Sequence, residues 1–309
     1  MKLLLTGCTG FIGRELIPLL IKEGHSLTVL SRQSKERLKA IANDQSINVI
    51  QMNPADSSSW SKEEIQNSLK SCEGVINLAG EPIAEKRWTE NQCKEIKNSR
   101  IETTKNLIEN LRNQKKPPKV LINASAIGFY GSHPQTKFTE ESISGDDFLA
   151  SLCNEWESIA KNKPRSTRLV IIRIGIVLAK DGGALGKMLP IFRAGLGGPI
   201  GDGKQWMSWI HRTDFCNLIS ESIKNSAWSG VINGVAPNPV RMNEFSSSLG
   251  QVLGRPSLLA VPGPILKLIL GDGARVVLEG QNVSNQRLNK LKFKFSFPTI
   301  NDAFQAILN

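Results

Sequence analysis

The chain opens with Met1-Lys-Leu-Leu-Leu-Thr6, and Gly7-Cys-Thr-Gly10-Phe-Ile-Gly13 follows at once, before a stretch with apolar residues at helical spacing. This order predicts a strand, a glycine turn and a helix. Gly7 allows a sharp turn, Gly10 lets a pyrophosphate approach backbone N–H groups, and Gly13 lets the helix pack closely against the sheet. The first turn of such a helix carries unpaired amides and partial positive charge, so the segment predicts a dinucleotide site. A purely structural tight turn is the alternative.

The residues after the second predicted strand indicate which dinucleotide is bound. That strand reads Ser26-Leu-Thr-Val-Leu30 and is followed by Ser31 and Arg32. An NAD site normally has a carboxylate here, which accepts a hydrogen bond from the ribose 2′-hydroxyl. A hydroxyl and a guanidinium instead suit a 2′-phosphate, because arginine forms charge-assisted, forked hydrogen bonds with phosphate oxygens. We therefore expect NADP in preference to NAD; a solvated surface arginine is the alternative.

Short β-rich runs alternate with helical stretches along the first half of the chain. Strands are predicted at 2–6, 26–31, 47–51, 74–79, 119–124 and 169–174, and helices near 11–22, 33–43, 62–70, 90–113 and 147–162. This alternation predicts an α/β fold with a doubly wound parallel sheet that is covered by helices on both faces. After residue 178 the sequence becomes rich in glycine, which is typical of a loop that shapes a ligand mouth or of a flexible connector.

Length and composition fit an enzyme-sized protein. A chain of 309 residues with 40% hydrophobic residues can bury a sizeable core. We expect no transmembrane segment and no signal peptide, and therefore a cytoplasmic location. The five cysteines are widely spaced, so neither a zinc site nor a disulfide framework is expected, and no metal is predicted.

The chain is basic, with 39 Lys and Arg against 28 Asp and Glu and a formal net charge of +11. These residues are scattered over predicted helix surfaces, and no helix-turn-helix or RNA-binding motif accompanies them. Nucleic acid is therefore not the expected partner. A positive surface would help to capture an anionic cofactor and a small anionic substrate.

Several motifs resemble known families. Thr6-Gly-Cys-Thr-Gly-Phe-Ile-Gly13, Asn77-Leu-Ala-Gly80 and Arg173-Ile-Gly-Ile-Val-Leu178 resemble the extended short-chain dehydrogenase/reductase superfamily. A narrower resemblance, to the epimerase-like family labelled "sugar nucleotide epimerase" or "cell division inhibitor", is carried by Gly80-Glu-Pro-Ile, Arg87-Trp-Thr, Ser99-Arg100, Gly197-Gly-Pro-Ile-Gly201, Trp209-Ile-His211, Gly254-Arg-Pro256, Leu278-Glu-Gly-Gln281 and Phe297-Pro298.

This resemblance implies a Rossmann-type NADP domain over residues 1–178, to which later segments can add strands or helices. It also implies a smaller C-terminal α+β substrate region over 179–309, with a family-specific module at 254–309. The implied cofactor contacts are Gly7, Thr9, Gly10, Phe11, Ile12, Gly13, Ser31, Arg32, Leu78, Ala79, Gly80, Glu95, Arg100 and Val177. A solvated charge pair is the alternative for Glu95 and Arg100.

The superfamily's chemistry normally uses a Tyr-x-x-x-Lys pair on one helix, because residues four apart share a face and the ammonium lowers the pKa of the phenol. Phe148 and Leu152 stand at the expected positions. Tyr130 is the sole tyrosine, and the residue four positions later is Pro134. The chain therefore lacks the usual proton relay.

Two catalytic candidates remain near the predicted nicotinamide site. Ser125 follows the fifth strand, where the superfamily keeps a serine that orients the substrate, and Tyr130 lies in the loop beyond it. An unassisted phenol with a pKa of about 10 is a poor base at neutral pH. His211 or Glu81 is an alternative acid or base, and a structural role is the alternative for both Tyr130 and His211.

Cationic residues accompany the glycine-rich segment. Arg193, Lys204, His211 and Arg212 would suit a phosphate group of the substrate, such as that of a nucleotide sugar. Ordinary solvated charges are the alternative.

Two classes of function are compatible with the sequence. The first is an NADP-dependent oxidoreductase or epimerase with an altered proton donor. The second is a catalytically inactive NADP-binding protein that acts through a protein partner, for example in cell division. The apolar stretch 265–270 would suit a partner or a membrane surface, but burial against the core is the expectation because it contains a single lysine. The oligomeric state is not predicted.

Overall fold

A computed structural model of the protein describes residues 1–42 and 47–308. The strands are β1 (Lys2–Thr6), β2 (Ser26–Ser31), β3 (Asn48–Gln51), β4 (Gly74–Asn77), β5 (Val120–Ala126), β6 (Lys137–Phe138), β7 (Arg168–Ile174), β8 (Ile176–Leu178), β9 (Trp206–Met207), β10 (Trp209–His211), β11 (Gly230–Gly234), β12 (Val240–Arg241) and β13 (Asn282–Val283). The helices are α1 (Gly13–Lys22), α2 (Lys35–Ile41), α3 (Glu63–Ser71), α4 (Glu90–Arg112), α5 (Phe148–Lys161), α6 (Gly183–Arg193), α7 (Arg212–Lys224), α8 (Met242–Leu253), α9 (Gly263–Leu270), α10 (Arg275–Leu278), α11 (Gln286–Lys290) and α12 (Ile300–Leu308).

The central element is a seven-stranded sheet in the order β11-β7-β5-β4-β1-β2-β3. Every neighbouring pair in it is parallel. This confirms the predicted α/β, Rossmann-type fold. Because β1 lies between β2 and β4, the winding of the chain reverses there, and the crevice outside the carboxyl ends of these strands is where such sheets bind ligands.

The two faces of the sheet bury alternate residues of each strand. In β1, Leu3 and Leu5 belong to a core that includes Leu16 of α1. Leu4 points to the opposite face and belongs to a core that includes Leu107 of α4. Successive side chains of a strand alternate between faces, so a run of consecutive leucines suits a strand covered by helices on both sides.

The predicted element boundaries differ from the observed ones by a few residues. The strand predicted at 74–79 ends at Asn77, because the side chain of Asn77 turns the chain: its Oδ1 accepts a hydrogen bond from the N–H of Ala79 at 3.2 Å, and its Nδ2 donates to Oδ1 of Asn123 at 2.7 Å. The helix predicted at 33–43 is α2, and its predicted last residue lies outside the described residues.

The chain beyond residue 178 divides between the sheet and a second core. β11 extends the sheet beside β7, and α7 contacts α1. The second core contains Trp209 with Phe245 of α8 and Phe304 of α12. β13 pairs with β6, which joins the C-terminal tail to the loop after β5. The sheet unit therefore includes segments on both sides of residue 178.

The prediction that residues 265–270 are buried against the core is wrong. None of the residues of α9 is buried, and Ile265, Leu268 and Ile269 are 50%, 75% and 60% exposed. The helix is attached through its backbone instead: the N–H of Trp88 donates to its last carbonyl at 3.1 Å. The apolar residues of this stretch therefore do not belong to the hydrophobic core. No helix in the described part of the chain is long and apolar enough to cross a membrane.

Candidate functional site

The loop between β1 and α1 has one open glycine between two confined ones. Gly7 has φ of +72°, and a Cβ on it would overlap the backbone that follows β4. A Cβ on Gly13 would overlap a carbonyl of the loop itself, whereas one on Gly10 would meet no described atom within 4 Å apart from its two chain neighbours. The packing thus requires two glycines, while the third leaves space in front of the backbone. The loop side chains that are partly exposed around this space are Thr9, Phe11 and Ile12.

Arg212, at the start of α7, holds this loop in place. Its Nη1 donates to the carbonyl of Phe11 at 3.2 Å, and its guanidinium carbon lies 4.9 Å from the centre of the Phe11 ring. Its Nε pairs with Glu15 at 2.8 Å, and its Nη1 pairs with Asp181 at 2.6 Å. The sequence groups Arg212 with the cations for a substrate phosphate, but its guanidinium is paired with these protein groups instead.

Charged groups converge at the carboxyl end of β2. Ser31 is 4% exposed, and its Oγ accepts a hydrogen bond from the N–H of Gln33 at 2.9 Å, which closes the turn. The Arg32 side chain is 66% exposed, and its Nη2 lies 3.9 Å from Oε2 of Glu81, which follows β4. Nζ of Lys86 lies 3.0 Å from Oε1 of the same carboxylate. Because β1 alone separates β2 from β4 in the sheet, this cluster lies beside the glycine loop.

A partly buried arginine lies under the residues that follow β4. A Cβ on Gly80 would lie 2.8 Å from the guanidinium carbon of Arg100, so the glycine lets the arginine approach the backbone. Nη1 of Arg100 donates to the carbonyl of Ile96 at 2.9 Å, and its guanidinium carbon lies 5.5 Å from the ring centre of Trp156. Burial lowers the pKa of Arg100. Glu95 is exposed on the same helix. Two other predicted residues follow β4: Leu78 is partly exposed and Ala79 is buried.

The positions of the missing Tyr-Lys pair are apolar in three dimensions as well as in sequence. The Phe148 ring lies 5.3 Å from the Trp88 ring in an edge-to-face arrangement, and Leu152 is 4% exposed. A Cβ on Gly273 would lie 2.6 Å from Cδ1 of Trp88, so the segment after α9 packs against this aromatic pair. The dyad's polar groups are therefore replaced by an aromatic contact against which the segment after α9 packs.

Ser125 and Tyr130 belong to one buried polar network. The Ser125 hydroxyl donates to Oε1 of Glu157 at 2.7 Å, and Glu157 pairs with Arg173 through contacts of 2.8 and 3.0 Å. Nη1 of Arg173 donates to the Tyr130 hydroxyl at 3.0 Å, and that hydroxyl donates to Oδ1 of Asn233 at 2.6 Å. Burial raises the pKa of Tyr130 to about 12. Both predicted catalytic hydroxyls thus have protein partners, and both are nearly inaccessible, with 2% and 0% exposure.

The other predicted residues lie on different elements. Val177 is buried in β8 beside β10, and Arg193 and Lys204 are exposed. His211 caps α7, where its Nδ1 accepts a hydrogen bond from the N–H of Thr213 at 3.1 Å. Its ring lies 4.1 Å from the Phe297 ring, and burial lowers its pKa. Among the contacts recorded for residues 1–42 and 47–308, none joins Arg193, Lys204 and His211 to one another.

The residues around the loop fit a dinucleotide. The open face of Gly10 is a cradle that a side chain would fill. Two buried polar atoms, Oγ1 of Thr6 at the end of β1 and Oε1 of Gln33 two residues after β2, have no partner among the described residues. Buried polar groups are normally paired, so these atoms and the cations at β2 suit a ligand that carries both donors and negative charge.

Two family models match the chain. The model of the NAD dependent epimerase/dehydratase family matches residues 3–233. A second model, described as a domain of unknown function (DUF1731), matches residues 261–307, which lie inside the segment predicted as a family-specific module.

Named relatives and solved structures extend this similarity to the full length. The chain is 44% identical over 310 residues to the "epimerase family protein SDR39U1 homolog, chloroplastic" of Arabidopsis thaliana, covering 100% of this chain and 87% of the relative. The crystal structure of the human epimerase family protein SDR39U1 (isoform 2) with NADPH is 35% identical, covers 99% of each chain and has a TM-score of 0.88. The UDP-glucuronic acid 4-epimerase from Bacillus cereus, solved with UDP-glucuronic acid and NAD, is 16% identical with a TM-score of 0.79 over 99% of this chain and 98% of its own, and shares the fold.

Proposed function

The chain belongs to the NAD dependent epimerase/dehydratase family, and from that membership we propose that it binds NADP(H) in preference to NAD(H) at the edge of the sheet where β1, β2 and β4 end. The observation that carries this proposal is the open face of Gly10 between two tightly packed glycines, with a guanidinium at the end of β2. The NADPH in the human relative's structure supports the choice of nucleotide. NAD in the B. cereus structure is a reason to test it.

We assign the cofactor contacts as follows. Backbone N–H groups of the glycine loop bind the pyrophosphate, because the first turn of a helix leaves its amides unpaired. Ser31 and Arg32 bind the adenosine phosphate, and Leu78 to Gly80 line the ribose side. Arg100 supports that wall from below, through its contact with Gly80. When bound, NADP supplies or accepts a hydride at its nicotinamide ring.

We propose an oxidoreductase or epimerase reaction on a small anionic substrate, with a proton route other than a Tyr-Lys pair. The Ser125 hydroxyl is nearly inaccessible and donates to the Glu157 carboxylate, so we assign Ser125 to positioning Glu157 within the buried polar network. Tyr130 is a poor acid or base at neutral pH because its pKa is raised to about 12, and we assign it to positioning Arg173. Exposed Arg193 and Lys204 are the candidates for contact with the substrate anion, whereas His211 caps α7 and packs against Phe297.

One observation favours a second candidate, an NADP-binding protein that acts through a partner. Leu258, Leu268 and Ile269 are 85%, 75% and 60% exposed, which is unusual for large apolar side chains that lie near one another in the chain. Stereospecific hydride transfer from NADPH to any member of a panel of nucleotide sugars and other small anionic carbonyl compounds supports the enzyme. Absence of transfer from a protein that binds NADPH tightly supports the second candidate.

A cytoplasmic location stays a prediction.

The cofactor proposal is tested by titrating NADPH and NADH into the wild type, Arg32→Ala and Arg37→Ala. Arg37 is an exposed arginine of α2 and serves as the matched control. Loss of Arg32 should weaken NADPH binding by about 1.5 to 3 kcal/mol and leave NADH binding nearly unchanged, because the guanidinium contacts the 2′-phosphate alone. Equal losses for the two nucleotides, or equal effects of the two substitutions, contradict the proposal.

A further inference from the structure

Two cations at the carboxyl edge of the sheet meet on a single carboxylate. Arg32 Nη2 lies 3.9 Å from one oxygen of Glu81, and Lys86 Nζ lies 3.0 Å from the other. The backbone N–H of Glu81 donates to Oγ of Ser99 at 2.9 Å, which ties the start of this loop to α4. Arg32 follows β2 and Lys86 lies in the loop after β4, so the fold brings together charges that are far apart in sequence.

This arrangement suits a phosphate better than it suits a carboxylate. A carboxylate offers two oxygens that share one negative charge, whereas a phosphate monoester offers three oxygens and nearly twice the charge. The Arg32 and Lys86 side chains are 66% and 64% exposed, so both can move by the small distance that a larger anion requires. Glu81 is only 18% exposed and lies between them. Its carboxylate therefore occupies the place where an incoming anion would be held.

We propose that Lys86 is the second cation for the 2′-phosphate of NADP and that Glu81 is a built-in competitor of that phosphate. The inference rests on the proposed function, since it requires the adenosine end of NADP to lie at β2. Binding of the 2′-phosphate separates Glu81 from both cations, because two anions at one site repel each other. A nucleotide with a plain 2′-hydroxyl leaves the Glu81 pairs intact. Glu81 thus limits the preference for NADP that Arg32 and Lys86 create.

The proposal predicts opposite effects for the two partners of one ion pair. Lys86→Met removes a phosphate contact and should weaken binding of a 2′-phosphorylated ligand. Glu81→Gln removes the competing charge, keeps the shape of the side chain and should tighten that binding. A surface ion pair without a role in binding would show neither effect.

The experiment compares 2′,5′-ADP with 5′-AMP, which differ by the 2′-phosphate, by calorimetric titration at low salt. Lys97→Met is the matched control, because Lys97 forms a comparable surface pair with Glu155 at 2.8 Å. We expect Lys86→Met to weaken 2′,5′-ADP by about three- to tenfold and Glu81→Gln to tighten it by about two- to fivefold, while 5′-AMP binding and the Lys97→Met variant stay near the wild-type values. Both effects should shrink as salt is raised.

The outcomes separate this inference from the proposed function. If the wild type binds 2′,5′-ADP more tightly than 5′-AMP but Lys86→Met binds it equally well, the role of Lys86 is overturned and NADP binding stands. Weaker binding of 2′,5′-ADP to Glu81→Gln overturns the competitor role. If the wild type binds neither NADPH nor 2′,5′-ADP, the proposed function itself fails.

Discussion

Removing Arg173 alone should destabilise the protein strongly. Its side chain is 4% exposed, and it lies against Glu157, whose side chain is fully buried. Arg173 also donates to the Tyr130 hydroxyl at 3.0 Å, and its guanidinium carbon lies 3.4 Å from the ring centre of Phe129. Arg173→Met keeps most of the packing volume but leaves the Glu157 carboxylate without its positive partner.

The size of the effect follows from the burial of both partners. Breaking a buried ion pair on one side costs about 3 to 5 kcal/mol, because an uncompensated charge stays in the interior. In the double variant Arg173→Met, Glu157→Leu no such charge remains, so the cost should fall to about 1 to 2 kcal/mol, which reflects the hydrogen bonds lost by Ser125 and Tyr130. The double variant should therefore be more stable than Arg173→Met.

Urea unfolding, followed by fluorescence and circular dichroism, measures these free energies in a double-mutant cycle that includes Glu157→Leu. A matched surface cycle on Lys97 and Glu155 should give a coupling below about 1 kcal/mol. Two results would refute the reasoning. One is an Arg173→Met variant destabilised by less than about 1 kcal/mol, and the other is a double variant whose loss equals the sum of the single losses.

Two further predictions concern the start of α7. Arg212→Met should weaken NADPH and NADH binding equally, by about 1 to 2 kcal/mol, because Arg212 holds Phe11 and the glycine loop and does not contact the 2′-phosphate. Both affinities are measured by titration, and a change in the ratio of the NADPH and NADH dissociation constants contradicts this. Burial lowers the pKa of His211 in the folded protein. As pH drops below the unfolded pKa of about 6.5, the unfolded chain binds a proton at this histidine more readily than the folded protein does, so the stability of the fold decreases. The melting temperature should decrease as pH is lowered from about 7.5 to about 5.5, and it should decrease less steeply in His211→Asn, which keeps a capping side chain. Identical slopes of melting temperature against pH in the two proteins contradict the assignment.

Local patterns predicted the sheet and its glycine loop well, because both follow from short-range rules. Alternation of apolar strands with helical stretches is enough to predict a parallel sheet, and Gly7 and Gly13 are required by contacts within or next to the loop. Ser31 and Arg32 could be predicted to lie at the carboxyl edge of the sheet, because Ser31 ends β2 and Arg32 follows it.

Contacts between distant segments could not be predicted in this way. Arg212 lies 197 residues from Glu15 and 201 from Phe11, and no local signal indicates that they meet. Lys86 reaches Glu81 within one loop, but its proximity to Arg32 depends on strand order. The exposure of α9 was missed for a related reason, since an apolar stretch indicates an apolar face without indicating what covers it.

The central claim is that the space in front of Gly10 receives the pyrophosphate of a nicotinamide dinucleotide. Gly10 does not have a positive φ, and a Cβ there meets no described atom within 4 Å outside the neighbouring Thr9 and Phe11, so we expect Gly10→Val to fold. The measurement is a titration of NADPH into wild type and Gly10→Val, with thermal unfolding of both in the absence of ligand. We expect unchanged unfolding and NADPH binding weakened by more than about tenfold, because the side chain fills the pyrophosphate space. A folded Gly10→Val variant that binds NADPH like the wild type would contradict the claim.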